Sequence, residues 1–447
     1  MSMLWAADEL AAALGVARGF DVSGISIDTR SLAPGDLFVA LQGERDGHDF
    51  VEAAFAKGAA AALVSKPMPG HVILVDETLA ALERLAAAAR ARSRAKIVAV
   101  TGSVGKTTTK EMLRAMLSGF GSVHAAEASF NNHIGVPLTL ARMPKGVDFG
   151  VFEIGMNHPG EIAPLARLVR PDVAMITCVD RAHLGLMGSE AAIAVEKAAI
   201  FSGLAPGGTA VLPGDSKFLA LLRSKIPESM RQIVFGLEAG EARLLKMKAG
   251  AQASDIAAAI CGVTVKFHLG APGMHMAGNA LAVLAAASAL GLELDEAALA
   301  LEGFSPFAGR GARRKILAPC GEALLLDESY NASGASMRAA LAVLALQPGR
   351  HVAVLGDMLE LGEHAAAEHF SLLPEVMAAA DIVFACGEQS KILFDSLPAS
   401  MQGAYASDAA SLAPLLRAAL AAGDAVLVKG SYGSRMRDVI SLLEGPA

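Results

Sequence analysis

The chain has 447 residues, of which 53% are hydrophobic but only 5% aromatic, with a formal net charge of −7. A chain of this length predicts about three domains of ordinary size, with cores of Ala, Leu and Val. The acidic balance argues against a nucleic-acid partner, so a bound phosphate must be met by local positive groups.

The N-terminus predicts neither export nor membrane insertion. Asp8 and Glu9 interrupt the first apolar segment, and the longest apolar stretch, 280–292, is too short to cross a bilayer. We therefore expect a cytoplasmic protein. The cysteines contain no Cys-x-x-Cys pair, which argues against a zinc site or disulfides and favours buried, reduced thiols. They are Cys178, Cys261, Cys320 and Cys386.

The first predicted unit covers residues 1–93 and mixes helices with strands. The apolar patterns predict helices at about 1–20, 50–64 and 79–96, and short strands between turns at 23–43. One short segment of this unit is crowded with polar side chains. On composition alone they are more typical of a turn than of a binding site. They are Ser26, Asp28, Thr29 and Arg30.

The second unit, 94–310, alternates apolar strands with helical patterns. Strands are predicted at 150–154, 173–179 and 209–212, and helices at 107–118, 160–169, 189–203 and 277–290. Residues 240–272 show no regular pattern. The alternation predicts a parallel sheet with helices on both faces.

The third unit, 311–447, repeats the same alternation. Its predicted strands are 323–326, 351–355, 381–385 and 425–428. Ligands of such sheets bind at the carboxyl ends of the strands. His364 and His369 follow one of these ends on a helix, and we expect both to be exposed.

The segment 96–117 predicts a triphosphate-binding loop. A buried strand runs into a helix through two glycines whose N–H groups can converge on an anion, and the lysine that follows adds a full positive charge. Thr107 or Thr108 can hold Mg²⁺ through its hydroxyl. The usual loop has four residues between its glycines and this one has two, so a tight turn with a surface lysine is the alternative. The loop residues are Gly102, Ser103, Val104, Gly105, Lys106, Thr107 and Thr108.

Three further polar residues lie at or just beyond strand ends of the second unit, namely Glu153, His183 and Lys197. The first two should meet the phosphate loop at one edge of the sheet, where carboxylate and imidazole can ligate Mg²⁺. Capping or solvated positions are the alternative for each. Glu153 is the exception because it lies in an otherwise buried run, where a carboxylate requires a partner.

Five motifs together resemble the muramyl ligase family over nearly the whole chain. They are Thr-Gly-Ser-Val-Gly-Lys-Thr-Thr at 101–108, Phe-Asn-Asn-His-Ile-Gly-Val-Pro at 130–137, Glu-Ile-Gly-Met-Asn-His-Pro-Gly-Glu-Ile at 153–162, Asp-Glu-Ser-Tyr-Asn-Ala at 327–332 and Val-Leu-Gly-Asp-Met-Leu-Glu-Leu-Gly at 354–362. The last two resemble the branch that adds D-alanyl-D-alanine. The segment 26–43 is similar to that branch's uridine-nucleotide domain.

The resemblance implies a monomeric three-domain α/β enzyme with a small N-terminal α/β domain, a central P-loop-type ATPase domain with a parallel sheet, and a Rossmann-like C-terminal domain. Domain one would bind UDP-N-acetylmuramoyl-tripeptide, domain two ATP with two Mg²⁺, and domain three the incoming D-Ala-D-Ala. ATP would convert the tripeptide's terminal carboxylate into an acyl phosphate that the dipeptide amine attacks.

The resemblance also implies roles for individual residues. Lys106 would bind the β- and γ-phosphates, Thr107 and Glu153 one Mg²⁺, and His183 with a carbamylated Lys197 a second. The nucleotide would also contact Asn131, Asn279, Arg310, Asp327, Tyr330 and Asn331. Substrate contacts would come from Ser26, Asp28, Thr29 and Arg30 for the uridine part, and from Lys429, Ser431 and Arg435 for the dipeptide, although the last segment can equally cap the final helix.

Several positions depart from the family pattern. Glu328 replaces the second aspartate after Asp327, and Ser333-Gly334 replaces Asn-Pro. The expected His-Asn pair is His275-Met276, and Pro213-Gly-Asp215 stands where Asn-x-Asp is expected. The last two changes concern the adenine contacts more than the chemistry.

Two other readings of the sequence remain. A folylpolyglutamate synthetase has a related phosphate loop, but this alternative does not explain the segment 26–43. A nucleotide-dependent binding protein would be expected to have lost Lys106, Glu153 or the Asp-x-Ser-Tyr-Asn string, and all are present.

Overall fold

In the computed structural model, which describes residues 3–126, 129–319 and 321–444, the strands form three separate sheets. They contain four, nine and six strands in chain order. Helices pack on each sheet, so the α/β architecture with three sheets is confirmed.

The first sheet is parallel throughout, in the order β1-β2-β3-β4. Its elements are α1 (Ala7–Leu14), β1 (Gly24–Ser26), β2 (Asp36–Val39), α2 (Val51–Ala56), β3 (Ala61–Val64), β4 (Val72–Leu74) and α3 (Thr78–Arg92). The helix predicted over 50–64 is wrong in its second half, because the chain forms the strand β3 there. All four residues of β3 are buried, as is typical of a parallel strand covered on both faces.

The second sheet has the order β13-β12-β11-β10-β9-β8-β5-β7-β6. Its strands are β5 (Lys96–Thr101), β6 (Val123–Ala125), β7 (Phe149–Glu153), β8 (Val173–Ile176), β9 (Thr209–Pro213), β10 (Arg231–Gly236), β11 (Ala242–Ala249), β12 (Ser254–Ile260) and β13 (Val263–Leu269). Its helices are α4 (Lys106–Leu117), α5 (Gly135–Ala141), α6 (Ile162–Val169), α7 (Leu184–Met187), α8 (Glu190–Ala198), α9 (Leu219–Arg223), α10 (Met274–Leu290) and α11 (Leu294–Ala300).

The predicted parallel arrangement is confirmed from β6 to β11, but the remaining edge is antiparallel. Strands β11 to β13 occupy the stretch in which the sequence showed no regular pattern. In β12 the buried residues alternate, as in Ile256, Ala258 and Ile260. Alanine has a low strand preference, so this alternation is hard to recognise in the sequence.

The third sheet has the order β14-β15-β19-β16-β17-β18, with only β14 antiparallel. Its strands are β14 (Ala312–Ala318), β15 (Gly321–Glu328), β16 (His351–Gly356), β17 (Ile382–Cys386), β18 (Gln402–Ala406) and β19 (Ala425–Lys429). Its helices are α12 (Gly334–Leu344), α13 (Ala365–Phe370), α14 (Leu373–Ala379), α15 (Glu388–Asp395), α16 (Ala409–Ala419) and α17 (Met436–Glu444).

The first unit is anchored on the second through its N-terminal segment. The Trp5 indole donates a hydrogen bond to the carbonyl of Ala141 of the second unit at 3.0 Å. Arg142 donates to the carbonyl of Ile25 at 2.6 Å. These contacts join the two units into one continuous apolar core.

None of the described helices is long and apolar enough to cross a membrane. Among the described cysteines, Cys386 is buried and Cys178 half-buried, but Cys261 is exposed, so the expectation of buried thiols is wrong for Cys261. Cys320 lies outside the described residues.

Candidate active site

A cavity of about 740 Å³ lies between the second and third sheets, where β5, β7 and β8 end opposite β15 and β19. Most of the site residues predicted from sequence line it. They are Ser103, Val104, Gly105, Lys106, Thr107, Thr108, Asn131, Glu153, His183, Asn279, Arg310, Tyr330, Asn331, Lys429 and Ser431.

The loop between β5 and α4 is anchored to the chain that follows β8. The Ser103 N–H donates to the carbonyl of Cys178 at 3.0 Å, and the Ser103 hydroxyl donates to the carbonyl of Asp180 at 2.9 Å. Gly102 has φ +152°, and a Cβ there would lie 1.8 Å from Thr177 Oγ1. Gly105 has φ +85°, and its Cβ would lie 2.9 Å from Asn279 Oδ1. Only glycine fits at both positions.

Lys106 begins α4 and folds back over this loop. Its Nζ donates to the carbonyl of Gly102 at 2.8 Å. Burial lowers the pKa of Lys106, and the negative charge of Glu153 acts in the opposite direction. The loop therefore carries a poorly solvated cation at the N-terminus of a helix. The charge of the lysine and the positive end of the helix both favour an anion there.

Glu153 ends β7 and is only 2% exposed. Its Oε1 accepts a hydrogen bond from Asn131 Nδ2 at 2.7 Å, whereas its buried Oε2 has no hydrogen-bond partner among the described residues. Thr107, also buried, places its Oγ1 3.3 Å from the Ser129 hydroxyl. Because a buried carboxylate oxygen is costly unless it is bonded, these two residues fit a divalent cation. Among the described residues, no three His, Cys, Asp or Glu side chains form a metal site by themselves.

His183 lies in a left-handed backbone conformation with φ 63° just before α7. Its Nδ1 is 2.6 Å from Glu360 Oε2 in the third unit, and this contact lowers the pKa of Glu360. The Gly185 N–H donates to the carbonyl of Glu360 at 3.1 Å. The residues after β8 therefore contact the third unit directly.

Lys197 is 2% exposed on α8 and does not itself line the cavity. Burial, reinforced by the positive charge of Lys106, lowers the pKa of Lys197 to about 7. The neighbouring Glu196 carboxylate is already engaged by the N–H groups of Gly160 and Ile162, at 2.8 and 2.9 Å. A substantial fraction of such an amine is neutral at neutral pH, and the neutral form is the one that adds CO₂.

Three further basic side chains line the cavity, namely Arg310 and His275 of the second unit and Lys429 of the third. The Arg310 guanidinium lies 4.1 Å from the centre of the Tyr330 ring. Lys429 donates to the carbonyl of Asn331 at 3.0 Å and lies 3.5 Å from Glu328 Oε2. Burial raises the pKa of Glu328 and lowers that of Lys429, while their opposite charges partly offset both shifts. Burial and the charge of Lys429 lower the pKa of His275, the third of these groups, to about 4.

Three groups of predicted residues do not line the cavity, besides Gly102 and Lys197. The Asp327 carboxylate accepts from Arg314 at 2.6 Å and from the Ser329 hydroxyl at 2.7 Å, so both of its oxygens are engaged. Arg435 pairs with Asp438 at 2.7 Å at the start of α17.

The third group lies in the first unit. Arg30 pairs with Asp28 at 2.6 Å, and the Ser26 hydroxyl donates to the carbonyl of Asp28 at 3.0 Å. The carbonyl of Thr29 accepts from Lys57 at 2.8 Å. These contacts form a compact turn, as composition alone favoured.

Sequence reasoning missed the ion pair between Arg181 and Glu368, which joins the second unit to α13. Glu368 is 6% exposed, and Arg181 also contacts Glu190 at 2.8 Å. The exposure predicted for His369 is wrong. It is 1% exposed, and its Nε2 accepts from the Met358 N–H at 2.9 Å. The predicted exposure of His364 is confirmed.

Three family models match the chain. They are described as Mur ligase family, catalytic domain, over residues 21–128, Mur ligase middle domain over 100–287, and Mur ligase, glutamate ligase domain, over 315–432.

Curated proteins and solved structures match over nearly the whole chain. The UDP-N-acetylmuramoyl-tripeptide--D-alanyl-D-alanine ligase of Synechocystis is 38% identical over 94% of this chain and 92% of its own length, and that of Escherichia coli 37% over 96% of both. A crystal structure of MurF from Acinetobacter baumannii superposes with a TM-score of 0.88 at 32% identity, covering 99% of both chains. The crystal structure of MurF from Thermotoga maritima in complex with ADP superposes with a TM-score of 0.81 at 27% identity, covering 94% of this chain and 97% of that one.

Proposed function

Because this chain belongs to the Mur ligase family, we propose that it is the ATP-dependent ligase that joins D-alanyl-D-alanine to UDP-N-acetylmuramoyl-tripeptide in peptidoglycan precursor synthesis. The observation that carries this proposal is the cavity in which the phosphate loop, the unpartnered Glu153 oxygen and the Lys429–Ser431 segment meet. It brings a site for ATP within reach of a site for a second substrate.

The chemistry requires that a carboxylate, a poor electrophile at neutral pH, be activated. The terminal carboxylate of the tripeptide attacks the γ-phosphorus of ATP, which gives an acyl phosphate and ADP. The dipeptide amine then attacks the acyl carbon, loses its proton and expels inorganic phosphate as the amide forms. Lys106 and Arg310 stabilise the negative charge that develops on the transferred phosphoryl group.

The residues present also fit Mg²⁺. Thr107 and the free Glu153 oxygen would hold one ion, and His183 with Lys197 would hold a second. Addition of CO₂ to the neutral Lys197 amine, with loss of a proton, turns it into an oxygen-donor anion. Bound magnesium neutralises phosphate charge as a Lewis acid. Burial of Glu153 and Lys197 keeps water away from both donors.

We propose that the units divide the substrates as the family does. Residues 1–93, with Ser26, Asp28, Thr29 and Arg30, would bind the uridine nucleotide, and 94–310 would bind ATP, assisted by Asn131, Asn279 and Arg310. The unit 311–447 would bind the dipeptide through Lys429, Ser431 and Arg435 and close on ATP through Tyr330 and Asn331.

The proposed ribose contact of Asp327 requires that its bonds to Arg314 and Ser329 rearrange. We propose that the chain acts as a monomer, and its need for ATP supports action in the cytoplasm.

Phosphate release from ATP tests the assignment. We expect release with UDP-N-acetylmuramoyl-tripeptide and D-Ala-D-Ala together, and only background release when either is omitted. If the complete mixture gives no more phosphate than ATP alone, the assignment is wrong. The identity of the third tripeptide residue follows from comparing acceptors with diaminopimelate and with lysine at that position.

A further inference from the structure

The side chain of Asn131 binds the Glu153 carboxylate in the cavity that Lys106 also lines. Its Nδ2 donates to Glu153 Oε1 at 2.7 Å, and within the described part of the chain Oε2 has no hydrogen-bond partner. We propose that Asn131 is a positioning residue that holds the Glu153 carboxylate toward the metal and away from Lys106, an inference that rests on the proposed function.

Backbone contacts fix Asn131 in this place. Its N–H donates to the carbonyl of Ser129 at 3.0 Å, and its own carbonyl accepts from the Gly155 N–H at 2.8 Å. A Cβ at Gly155 would lie 2.8 Å from the Asn131 side chain, so the glycine allows the amide to lie directly against the continuation of β7. The donor is therefore rigidly presented to Glu153.

Without this donor, Glu153 and Lys106 would be free to pair. Burial lowers the pKa of Lys106, and the negative charge of Glu153 raises it and so opposes the effect of burial. The two side chains nevertheless bond to other groups. The Lys106 ammonium donates to the carbonyls of Gly102 and Ser103, and Glu153 Oε1 accepts from the Asn131 amide. Opposite charges attract strongly in a poorly solvated site. A direct ion pair would use both the carboxylate that fits the metal and the lysine that fits the phosphates.

The same segment also contacts the second proposed ligand of that ion. Ser129, two residues before Asn131, places its hydroxyl 3.3 Å from Thr107 Oγ1. Thr107 lies on α4 and Glu153 on β7, and the segment 129–131 contacts both side chains. Partners that orient ligands typically change metal affinity by about 10- to 100-fold when they are removed.

The adjacent Asn132 provides a matched control. Its Oδ1 accepts from the N–H groups of Ile134 and Gly135, at 3.2 and 2.8 Å, and so caps α5 without contacting Glu153. Asn132→Leu removes the same kind of side chain from the same loop. It is expected to lower the thermal stability and to leave metal binding unchanged.

The experiment measures Mn²⁺ binding to the ADP-loaded full chain by electron paramagnetic resonance, and ADP binding in EDTA by calorimetry. Asn131→Leu and Asn131→Ala are expected to raise the Mn²⁺ dissociation constant about tenfold or more when each variant is saturated with ADP at the concentration that calorimetry gives for it. Asn131→Gln, which retains an amide donor, is expected to bind Mn²⁺ more tightly than Asn131→Leu.

Three results overturn the inference. They are an unchanged Mn²⁺ constant in the Asn131 variants, an equal loss in Asn132→Leu, and equal losses in the Gln and Leu variants, which would assign the effect to packing. Failure of the unmodified chain to bind ADP or Mn²⁺ at all would instead contradict the proposed function. Neither measurement requires the two substrates, so the two failures are distinguishable.

Discussion

The side chains of the second-unit wall of the cavity are fixed in a different way from the contacts that join the second and third units. On the second unit, each charged side chain is bonded to a neutral group. Lys106 donates to the Gly102 carbonyl, and Glu153 accepts from the Asn131 amide. Between the second and third units, the contacts join residues far apart in sequence, such as the ion pair of Arg181 with Glu368 and the contact of the His183 ring with the Glu360 carboxylate.

This difference assigns nucleotide binding to the second unit and alignment of the substrates to the contacts between the units. The backbone-fixed wall is rigid and should bind a nucleotide without the other substrates. The charged contacts between the units depend on where the third unit lies, so they should affect how the second substrate meets the first. Each prediction below tests one side of this division.

The largest effect is expected from Lys106→Ala. Its ammonium is the cation of the rigid wall, and its removal should abolish turnover and weaken ADP binding in the absence of other substrates. Steady-state phosphate release and calorimetry measure both. Lys96→Ala, at the exposed start of β5, is the control. Retention of more than about a tenth of the rate, roughly 1.4 kcal/mol of barrier, would contradict the role of Lys106.

The next effect concerns Lys197. Because its pKa is lowered to about 7, the amine is neutral above that pH and protonated below it. The carbamate, and activity with it, should therefore rise as the pH increases through 7 at fixed CO₂. Carbon-13 NMR with labelled CO₂ should show a carbamate signal that Lys197→Ala removes. Activity indifferent to that substitution, or to CO₂ at pH 8, would exclude the modification.

A smaller effect is expected from the pair between the units. Arg181→Ala and Glu368→Ala should each raise the KM for the dipeptide about fivefold, about 1 kcal/mol, because Arg181 is half exposed. The double variant should equal either single one, since both remove the same contact. Lys391→Ala is the control because Lys391 pairs with Asp395 within the third unit. Losses that multiply in the double variant would show that the residues act independently.

The smallest effect on the cavity is expected from Arg30→Ala. Arg30 is exposed and lies in the first unit, so ADP binding and the melting temperature should stay unchanged. If the proposed uridine site is correct, only the KM for UDP-N-acetylmuramoyl-tripeptide rises. Calorimetry and steady-state kinetics distinguish these effects. A weaker affinity for ADP would contradict the separation of the sites.

Local signals allowed much of this structure to be predicted. The phosphate loop, β5 and α4 follow from residues adjacent in sequence, and the buried run that contains Glu153 indicated a partner for its carboxylate. The resemblance supplied Lys197, whose burial no periodicity revealed. Where a strand is rich in alanine, as β12 is, apolar alternation no longer distinguishes it from irregular chain.

The contacts between the units could not be predicted. Arg181 and Glu368 are 187 residues apart, and nothing in either neighbourhood indicates the other. His369 follows a helical pattern that is typical of an exposed surface, yet the Met358 N–H requires an acceptor and its ring supplies one. The first of these contacts depends on how two sheets meet and the second on how α13 packs within the third unit, and no local pattern records either.

The transfer of a carboxylate oxygen to phosphate tests the central claim most directly. If the tripeptide's terminal carboxylate is labelled with oxygen-18 and the reaction is run with ATP and D-Ala-D-Ala, the attacking oxygen should leave with the phosphoryl group. The account predicts one labelled oxygen in each inorganic phosphate released, measured by mass spectrometry. Phosphate without label, formed together with the amide product, would contradict activation through an acyl phosphate.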